Sequence, residues 1–202
     1  MSDRHDAVLE ITPELYYDRE LFFTTVKETA IAHANICWND NEQVNGKITT
    51  FALDLDNPDP SKKMKVGVLP LDYPKELQAL FYTWVTKVFM KEKTEVACLF
   101  TEAWRTDELS DDETEEFKNY IENGGRVEFW EGSFEVFAFE MTDGKHYTYA
   151  EWPIRRDSEG KYATHEEEPL RSANYVTIDH EMAKNSILVK SMSLAEKYSK
   201  QL

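Results

Sequence analysis

Cysteine is rare in this 202-residue sequence, which contains only two, Cys37 and Cys98. Neither has another cysteine nearby, so the spacings typical of a disulfide-rich secreted fold or a zinc site are missing. We therefore expect two reduced thiols in a cytoplasmic protein. A single disulfide between the two cysteines is the alternative.

Glycine is also scarce, with seven residues in the whole chain. Neither G-x-G-x-x-G nor a Walker-type loop occurs, although close approach of the backbone to a phosphate needs such glycines. The G-x-S-x-G turn that presents a nucleophilic serine is missing as well. These absences predict no cofactor and favour a protein that is not an enzyme.

Basic residues are outnumbered, since 23 Lys and Arg stand against 39 Asp and Glu, which gives a formal net charge of −16. Because no basic cluster is present, we expect neither direct nucleic-acid binding nor adhesion to an anionic membrane surface. No apolar run approaches the roughly 18 residues that span a bilayer. The first ten residues also lack the apolar core of a secretory signal.

Apolar residues are plentiful, at 41% of the chain, and 11 Phe, 10 Tyr and 5 Trp can fill a core. This length favours one domain. We predict a single α+β domain over residues 1–202, with two long helices packed on a mixed, mostly antiparallel sheet. Residues 1–11 are expected to be flexible, and residues 105–112 and 157–170 are expected to form charged loops.

The stretch from Tyr73 to Trp104 is the centre of the predicted fold. Asp72-Tyr73-Pro74 is typical of a helix start, and the apolar residues that follow recur at helical spacing as far as Phe89. Residues 95–104 then include an apolar run without alternation, which is typical of a strand buried on both faces. The helix should cover one face of the sheet that contains this strand.

Two further helices have recognisable starts. Thr12-Pro13-Glu14 has a capping hydroxyl and a first-turn proline, and it predicts a helix to about His33. Ser110 and Glu113 have capping-box spacing, and they predict a helix that ends at Gly124-Gly125.

Strand signals fill much of the remaining chain. The predicted strands are residues 47–55, 64–69, 126–130, 134–141, 145–152 and 175–178. Asp143-Gly144 predicts a hairpin between the two strands that flank it. Residues 38–46 are expected to be turn-rich, and Asp179 is expected to cap a C-terminal helix. For residues 186–192 the periodicity does not decide between strand and helix.

The first cluster of candidate binding residues is Glu102, Trp104 and Arg105, at the C-terminal end of the predicted central strand. Ligands often bind at this position in open α/β sheets. A carboxylate beside an indole there suits an acid of raised pKa or a sugar-binding wall. Alternatively, Glu102 pairs with Arg105 or Arg126, and Trp104 closes the core.

The second cluster lies on the predicted hairpin and its exit. Its members are Tyr147, Tyr149, Trp152, Arg155 and Arg156. Because Tyr, Trp and Arg concentrate binding energy at interfaces, this cluster favours a protein-binding surface. Packing between the paired strands is the alternative explanation.

Two segments contain groups that can bind a divalent metal, His165-Glu166-Glu167-Glu168 and Asp179-His180-Glu181. Their spacing matches no zinc signature, and surface loops and a helix cap are the preferred explanation of these two segments. His33 and Cys37 are four residues apart but supply only two ligands. We therefore predict no metal site.

Acidic residues crowd residues 107–116. Such a row of carboxylates can imitate DNA phosphates if it extends over a long face. A solvated helix start is the simpler explanation.

Phe100-Thr101-Glu102-Ala103-Trp104 and Trp152-Pro153-Ile154-Arg155-Arg156-Asp157 resemble segments of small uncharacterised bacterial and phage proteins. The resemblance covers roughly the middle half of the chain. That group has no assigned activity, so the resemblance supplies no catalytic residue. It implies an accessory protein encoded by a phage or a bacterium.

Three hypotheses on function follow. The first is an acidic cytoplasmic accessory protein that binds another protein. The second is a hydrolase-like enzyme with a carboxylate or metal site near Glu102, His165 or His180. The third is a DNA-mimic inhibitor that uses residues 107–116. The partner, the substrate and the oligomeric state are not identified by the sequence.

Overall fold

One antiparallel sheet organises the computed structural model, which describes residues 11–54, 57, 64–71, 78–106, 109–162 and 168–200. Its strands are β1 (Lys47–Leu53), β2 (Met64–Pro70), β3 (Val96–Thr106), β4 (Ser133–Thr142), β5 (His146–Pro153) and β6 (Arg171–Thr177). They are arranged in the order β2-β1-β3-β4-β5-β6. The predicted α+β class is confirmed. The sheet was expected to be mixed, but every pairing in the described chain is antiparallel.

Helices precede, connect and follow the strands. They are α1 (Pro13–Tyr17), α2 (Arg19–Asn39), α3 (Gln78–Glu92), α4 (Asp111–Glu122), α5 (Glu181–Lys184) and α6 (Ile187–Ser199). The longer ones, α2, α3 and α6, hold 21, 15 and 13 residues, so the expectation of two long helices is not confirmed. No helix in the described ranges is long and apolar enough to cross a membrane.

The two sides of the sheet are covered by different helices, because successive residues of a strand point to opposite sides. On one side, buried residues of α2 such as Phe22 share a core with Phe137 and Phe139 of β4. On the other side, α3 and α6 form a second core with Ile48 and Ala97. We name these sides the α2 face and the α6 face.

The predicted central strand is confirmed as β3, but it is not buried along its whole length. Val96, Ala97 and Cys98 are fully buried, whereas Trp104 is 41% exposed and does not close the core. The strand continues to Thr106, so the first two residues of the predicted loop 105–112 belong to the sheet. The loop is shorter than predicted for a second reason, since α4 begins at Asp111.

The first predicted helix is interrupted and then extends further than expected. Thr12 caps α1, and Asp18 caps α2 by accepting a hydrogen bond from the backbone of Leu21. The second helix runs to Asn39, so Trp38 lies in its last turn and not in a turn-rich segment. Because the Trp38 side chain is 1% exposed, burial against the sheet favours this additional turn of helix.

Residues 126–130, predicted as a strand, contain the short 3-10 helix Val127–Phe129. The reason is a local aromatic contact, in which Trp130 packs against Phe117 and Tyr120 of α4 with ring centroids 5.2 Å apart in both pairs. This contact folds the segment back onto α4.

The C-terminal region confirms a helix where the sequence left two options. Residues 187–189 begin α6, and Ser186 caps it by accepting a hydrogen bond from Val189 N at 3.2 Å. His180, not Asp179, caps α5, because its Nδ1 accepts from Met182 N at 3.3 Å.

The central hairpin forms as predicted. Its strands β4 and β5 pair antiparallel and are joined through Asp143-Gly144. Gly144 has a φ of 81°, which a glycine adopts without strain.

Several predictions lie wholly or partly outside the described residues. The parts outside are the tail 1–10, residue 55 at the end of a predicted strand, the helix start 72–74, residues 107–108 of the predicted loop and acidic segment, and residues 163–167 of the second charged loop, which include His165. The described part of that loop, 157–162 and 168–170, contains turns and one isolated bridge between Arg156 and Tyr162.

Removal of the α4 capping residue should destabilise the protein. The Ser110 hydroxyl accepts from Glu113 N, and the Glu113 carboxylate accepts from Ser110 N at 2.8 Å, which confirms the predicted capping box. Ser110→Ala should lower the free energy of unfolding by about 1 kcal/mol in a urea titration. Lys118→Ala in the same helix is the control, with an expected change below about 0.5 kcal/mol. Equal losses in the two variants would contradict the capping role.

Candidate functional site

The predicted binding residues on the sheet are divided between its two faces. Those on the α2 face are Glu102, Trp104 and Trp152. Those on the α6 face are Arg105, Tyr147 and Tyr149. Arg155 and Arg156 follow β5 and are exposed. The aromatic and basic residues of the hairpin therefore do not form one surface.

Glu102 connects three parts of the chain on the α2 face. Its Oε1 accepts hydrogen bonds from Trp38 Nε1 and Val44 N, each at 2.8 Å, and its Oε2 accepts from Tyr162 OH at 3.0 Å. These donors attach the end of α2, the segment after it and the turn after β5 to the central strand. The contacts give Glu102 a structural role.

Arg156 and Trp152 also make contacts within the fold. Arg156 forms two hydrogen bonds with the Glu135 carboxylate, at 2.7 and 3.0 Å, and its guanidinium lies 4.1 Å from the centre of the Tyr162 ring. Hydrogen bonding to Glu135 raises the pKa of Arg156. Trp152 is 7% exposed and packs against Phe137.

The residues on the α6 face share a cavity of about 750 Å³, within the size range of small-molecule sites. We name it the polar cavity. The polar side chains that line it are Arg105, Glu140, Tyr147, Tyr149, Arg171, His180, Glu181, Asn185 and Ser186. Three of these, Arg105, Tyr147 and Tyr149, are predicted binding residues.

A buried ion pair lies beside the polar cavity. The Glu151 side chain is 1% exposed, and its Oε2 accepts hydrogen bonds from Arg105 Nη1 and Tyr149 OH. Ala138 lies opposite Glu151 on the intervening strand β4, and its small side chain leaves space for the Arg105 guanidinium. Burial, reinforced by the neighbouring Glu151, raises the pKa of Tyr149.

Glu140 is a second buried carboxylate and is 7% exposed. It accepts a hydrogen bond from Tyr147 OH at 3.0 Å. Burial raises the pKa of Glu140, and the neighbouring polar groups of Tyr147, Ser186 and the Leu188 backbone only partly oppose the effect. The carboxylate of β4 therefore faces the start of α6.

Another cavity, of about 820 Å³, lies at the turn of the hairpin. In it His146 Nδ1 is 3.2 Å from Asp143 Oδ2, and the imidazole stacks on Tyr175 with centroids 4.3 Å apart. The other oxygen of Asp143 accepts from the backbone of Lys145 and His146. The turn itself thus accounts for this Asp and His pair.

An apolar groove of about 450 Å³ lies on the α2 face between α2 and strand β2. We name it the edge groove. Its main apolar residues are Ile11, Val26, Ala30, Phe51, Val66, Val68 and Phe100. Val66 and Val68 are 51% and 58% exposed, although they lie on the same face as the buried Phe51. Among the described residues β2 pairs only with β1, so its outer edge has no strand partner.

Comparison with known proteins returns no match. No protein family, curated protein or solved structure is significantly similar to this chain. The resemblance to small bacterial and phage proteins therefore stays a prediction.

The described residues bring no three or more His, Cys, Asp or Glu side chains together as a metal site. His180 is a helix cap, and His165 lies outside the described residues. His33 Nε2 and Cys37 Sγ are 3.8 Å apart, so these two residues are neighbours as their spacing suggests.

Cys37 and Cys98 do not form a disulfide with each other. Burial raises the pKa of Cys98 to about 12, so its thiol is a poor nucleophile at neutral pH.

Glu140, Glu151 and Arg171 were not predicted from the sequence as residues of a binding site. A usable signal was present for the two acids, since each interrupts an apolar strand and a buried charge needs a partner. Arg171 had no comparable signal, because its position opposite Glu151 depends on the pairing of β5 with β6.

Glu140→Gln should change how stability depends on pH. Because burial holds the pKa of Glu140 above its ordinary value of 4.5, the folded protein binds more protons than the unfolded chain just above that pH. This carboxyl therefore lowers stability as the pH rises through the folded-state pKa. Urea unfolding at about pH 5 and about pH 8 should show the wild type losing stability relative to Glu140→Gln at the higher pH. A difference that does not vary with pH would contradict the raised pKa.

Proposed function

We propose that this protein is a non-enzymatic accessory protein that acts by binding another protein, and that the edge groove receives an extended segment of that partner. The observation that carries the proposal is the exposure of Val66 and Val68 on a strand whose outer edge pairs with no other strand of the described residues. An apolar edge strand of this kind readily accepts a further strand.

The strand β2 offers two kinds of contact. Backbone N–H and C=O groups on its outer edge, which no described strand pairs, can hydrogen-bond an added strand, and such bonds supply affinity with little dependence on sequence. Val66 and Val68 lie on one side of that edge, and Val26 and Phe100 line the adjoining groove. Alternate apolar side chains of the partner segment would pack there and give specificity.

The net charge of the chain favours one kind of partner. The strand Met64–Pro70 contains no acidic residue, whereas the whole chain carries a net charge of −16. An acidic surface attracts basic proteins and raises their rate of encounter. The occupant is therefore an extended apolar segment flanked by Lys and Arg. A second copy of this chain would be repelled by the same charge.

The other two functions predicted from the sequence gain less support. Glu102 already accepts three hydrogen bonds from protein groups, which leaves the carboxylate little capacity for chemistry. The described acids of residues 107–116 belong to the start of the 12-residue helix α4, and Glu113 serves its cap. Both functions stay predictions.

A photoreactive benzoylphenylalanine at position 68 tests the docking proposal in a lysate of the source organism. The expected product joins position 68 to a partner segment of alternating apolar residues flanked by basic ones, located by mass spectrometry. Val66→Lys should reduce its yield about tenfold or more, because a charge then faces the apolar segment. The same photoreactive residue at the exposed position 118 is the control and should give no such product.

Three outcomes would overturn the proposal. They are crosslinks only to a second copy of the chain, equal products from positions 68 and 118, and a product insensitive to Val66→Lys. Because Val66 is more than half exposed, Val66→Lys should change the free energy of unfolding by less than about 0.5 kcal/mol. A loss of crosslinking in this variant therefore reports a loss of binding and not a loss of folding.

A further inference from the structure

We propose that the polar cavity binds a small organic molecule that carries a phosphate or carboxylate group. The cavity lies on the α6 face and shares no lining residue with the edge groove on the opposite face. The inference therefore goes beyond the proposed function and does not depend on it.

Two arginines supply the positive charge. Arg171 of β6 lies opposite Glu151 of β5, and Arg105 reaches the same carboxylate from β3. The Arg171 side chain is exposed and, among the described residues, forms no ion pair with Glu151. Since Arg105 pairs with Glu151, the charge of Arg171 has no ion-pair partner among the described residues. An oxyanion in the cavity would provide that partner.

Both guanidinium groups retain hydrogen-bond donors for a ligand. Arg105 uses Nη1 for its bonds to Glu151 and Tyr149, and within the described ranges its Nε and Nη2 make none. Its side chain is 33% exposed, so these donors are accessible. The fork of a guanidinium group matches the paired oxygens of a carboxylate or a phosphate.

The arginines lie where two cavities meet. A smaller cavity of about 570 Å³ shares Arg105 and Arg171 with the polar cavity, and Phe117 of α4 and Phe134 of β4 line its far side. An oxyanion at the junction is therefore reachable from both sides. The two cavities offer alternative positions for the rest of the ligand.

The rest of the polar cavity can accommodate a planar or apolar part of the ligand. The rings of Tyr147 and Tyr149 are nearly parallel, at 14°, with centroids 6.4 Å apart. Leu99 and Ile187 contribute apolar surface. Glu140 adds a carboxyl group that can hydrogen-bond a hydroxyl or amino group of the ligand. A few polar groups beside apolar and aromatic surface are typical of a small-molecule site.

Matched pairs of probes test the proposal by isothermal titration of the full chain. AMP is compared with adenosine, and benzoate with benzyl alcohol, each to about 5 mM. We expect AMP, benzoate or both to bind and their neutral counterparts not to bind. Binding of AMP alone assigns a phosphate ligand, and binding of benzoate alone assigns a carboxylate ligand. Binding of neither anion, or equal binding of a neutral counterpart, would overturn the proposal.

Two variants locate the binding. Arg171→Gln should lower the affinity for the probe that binds by about tenfold or more, because the substitution removes a charge-assisted hydrogen bond. Arg126→Gln makes the same change of net charge at an exposed position outside both cavities, and it should leave affinity within about twofold. Equal weakening by the two variants would show a general charge effect and overturn the site. Unfolding titrations of both variants verify that they fold.

Val66→Lys in the edge groove separates this inference from the proposed function. It should leave affinity for the probe within about twofold, because it lies on the other face of the sheet. A larger loss of affinity would contradict the independence of the two sites.

Discussion

The ion pair between Arg105 and Glu151 is the interaction on which the α6 face depends. Glu151 is 1% exposed, and a carboxylate at that depth without a partner would cost several kcal/mol. Arg105 satisfies it across the width of β4, where Ala138 leaves room for the guanidinium, and Tyr149 satisfies it from the same strand as Glu151, β5. Because these polar groups occupy the sheet surface, this part of the face is a polar cavity and not a continuation of the apolar core under α3 and α6.

The alternation of strand residues divides the molecule into two regions of different chemistry. On the α2 face, Glu102 uses its oxygens to hold Trp38, Val44 and Tyr162, and the core beside it is apolar. That cover leaves the valines of the edge strand β2 exposed, which produces the edge groove. On the α6 face, two buried carboxylates and two arginines produce the polar cavity. The two proposed ligands, a protein segment and a small anion, would therefore bind separate surfaces of one sheet.

Turns and helix caps, which depend on neighbouring residues, could be predicted from the sequence. Contacts between residues far apart in the sequence could not. Asp143-Gly144 and the pair Ser110 and Glu113 specify a turn and a cap within a few residues, and both predictions are confirmed. Trp38 was misplaced because its helical position depends on a contact with Glu102. Similarly, Glu102 and Arg105 were grouped as neighbours, although residues three apart on a strand lie on opposite faces. Arg171 joins the cavity only through strand pairing.

A double-mutant cycle of Arg105→Leu and Glu151→Leu, measured by urea unfolding, tests the ion pair most directly. The account predicts that Arg105→Leu alone lowers the free energy of unfolding by about 3 kcal/mol, because it leaves the Glu151 carboxylate buried and unpaired. The double variant should recover much of that loss, which gives a coupling energy of roughly 2 kcal/mol or more. Strictly additive losses from the two single variants would contradict the account.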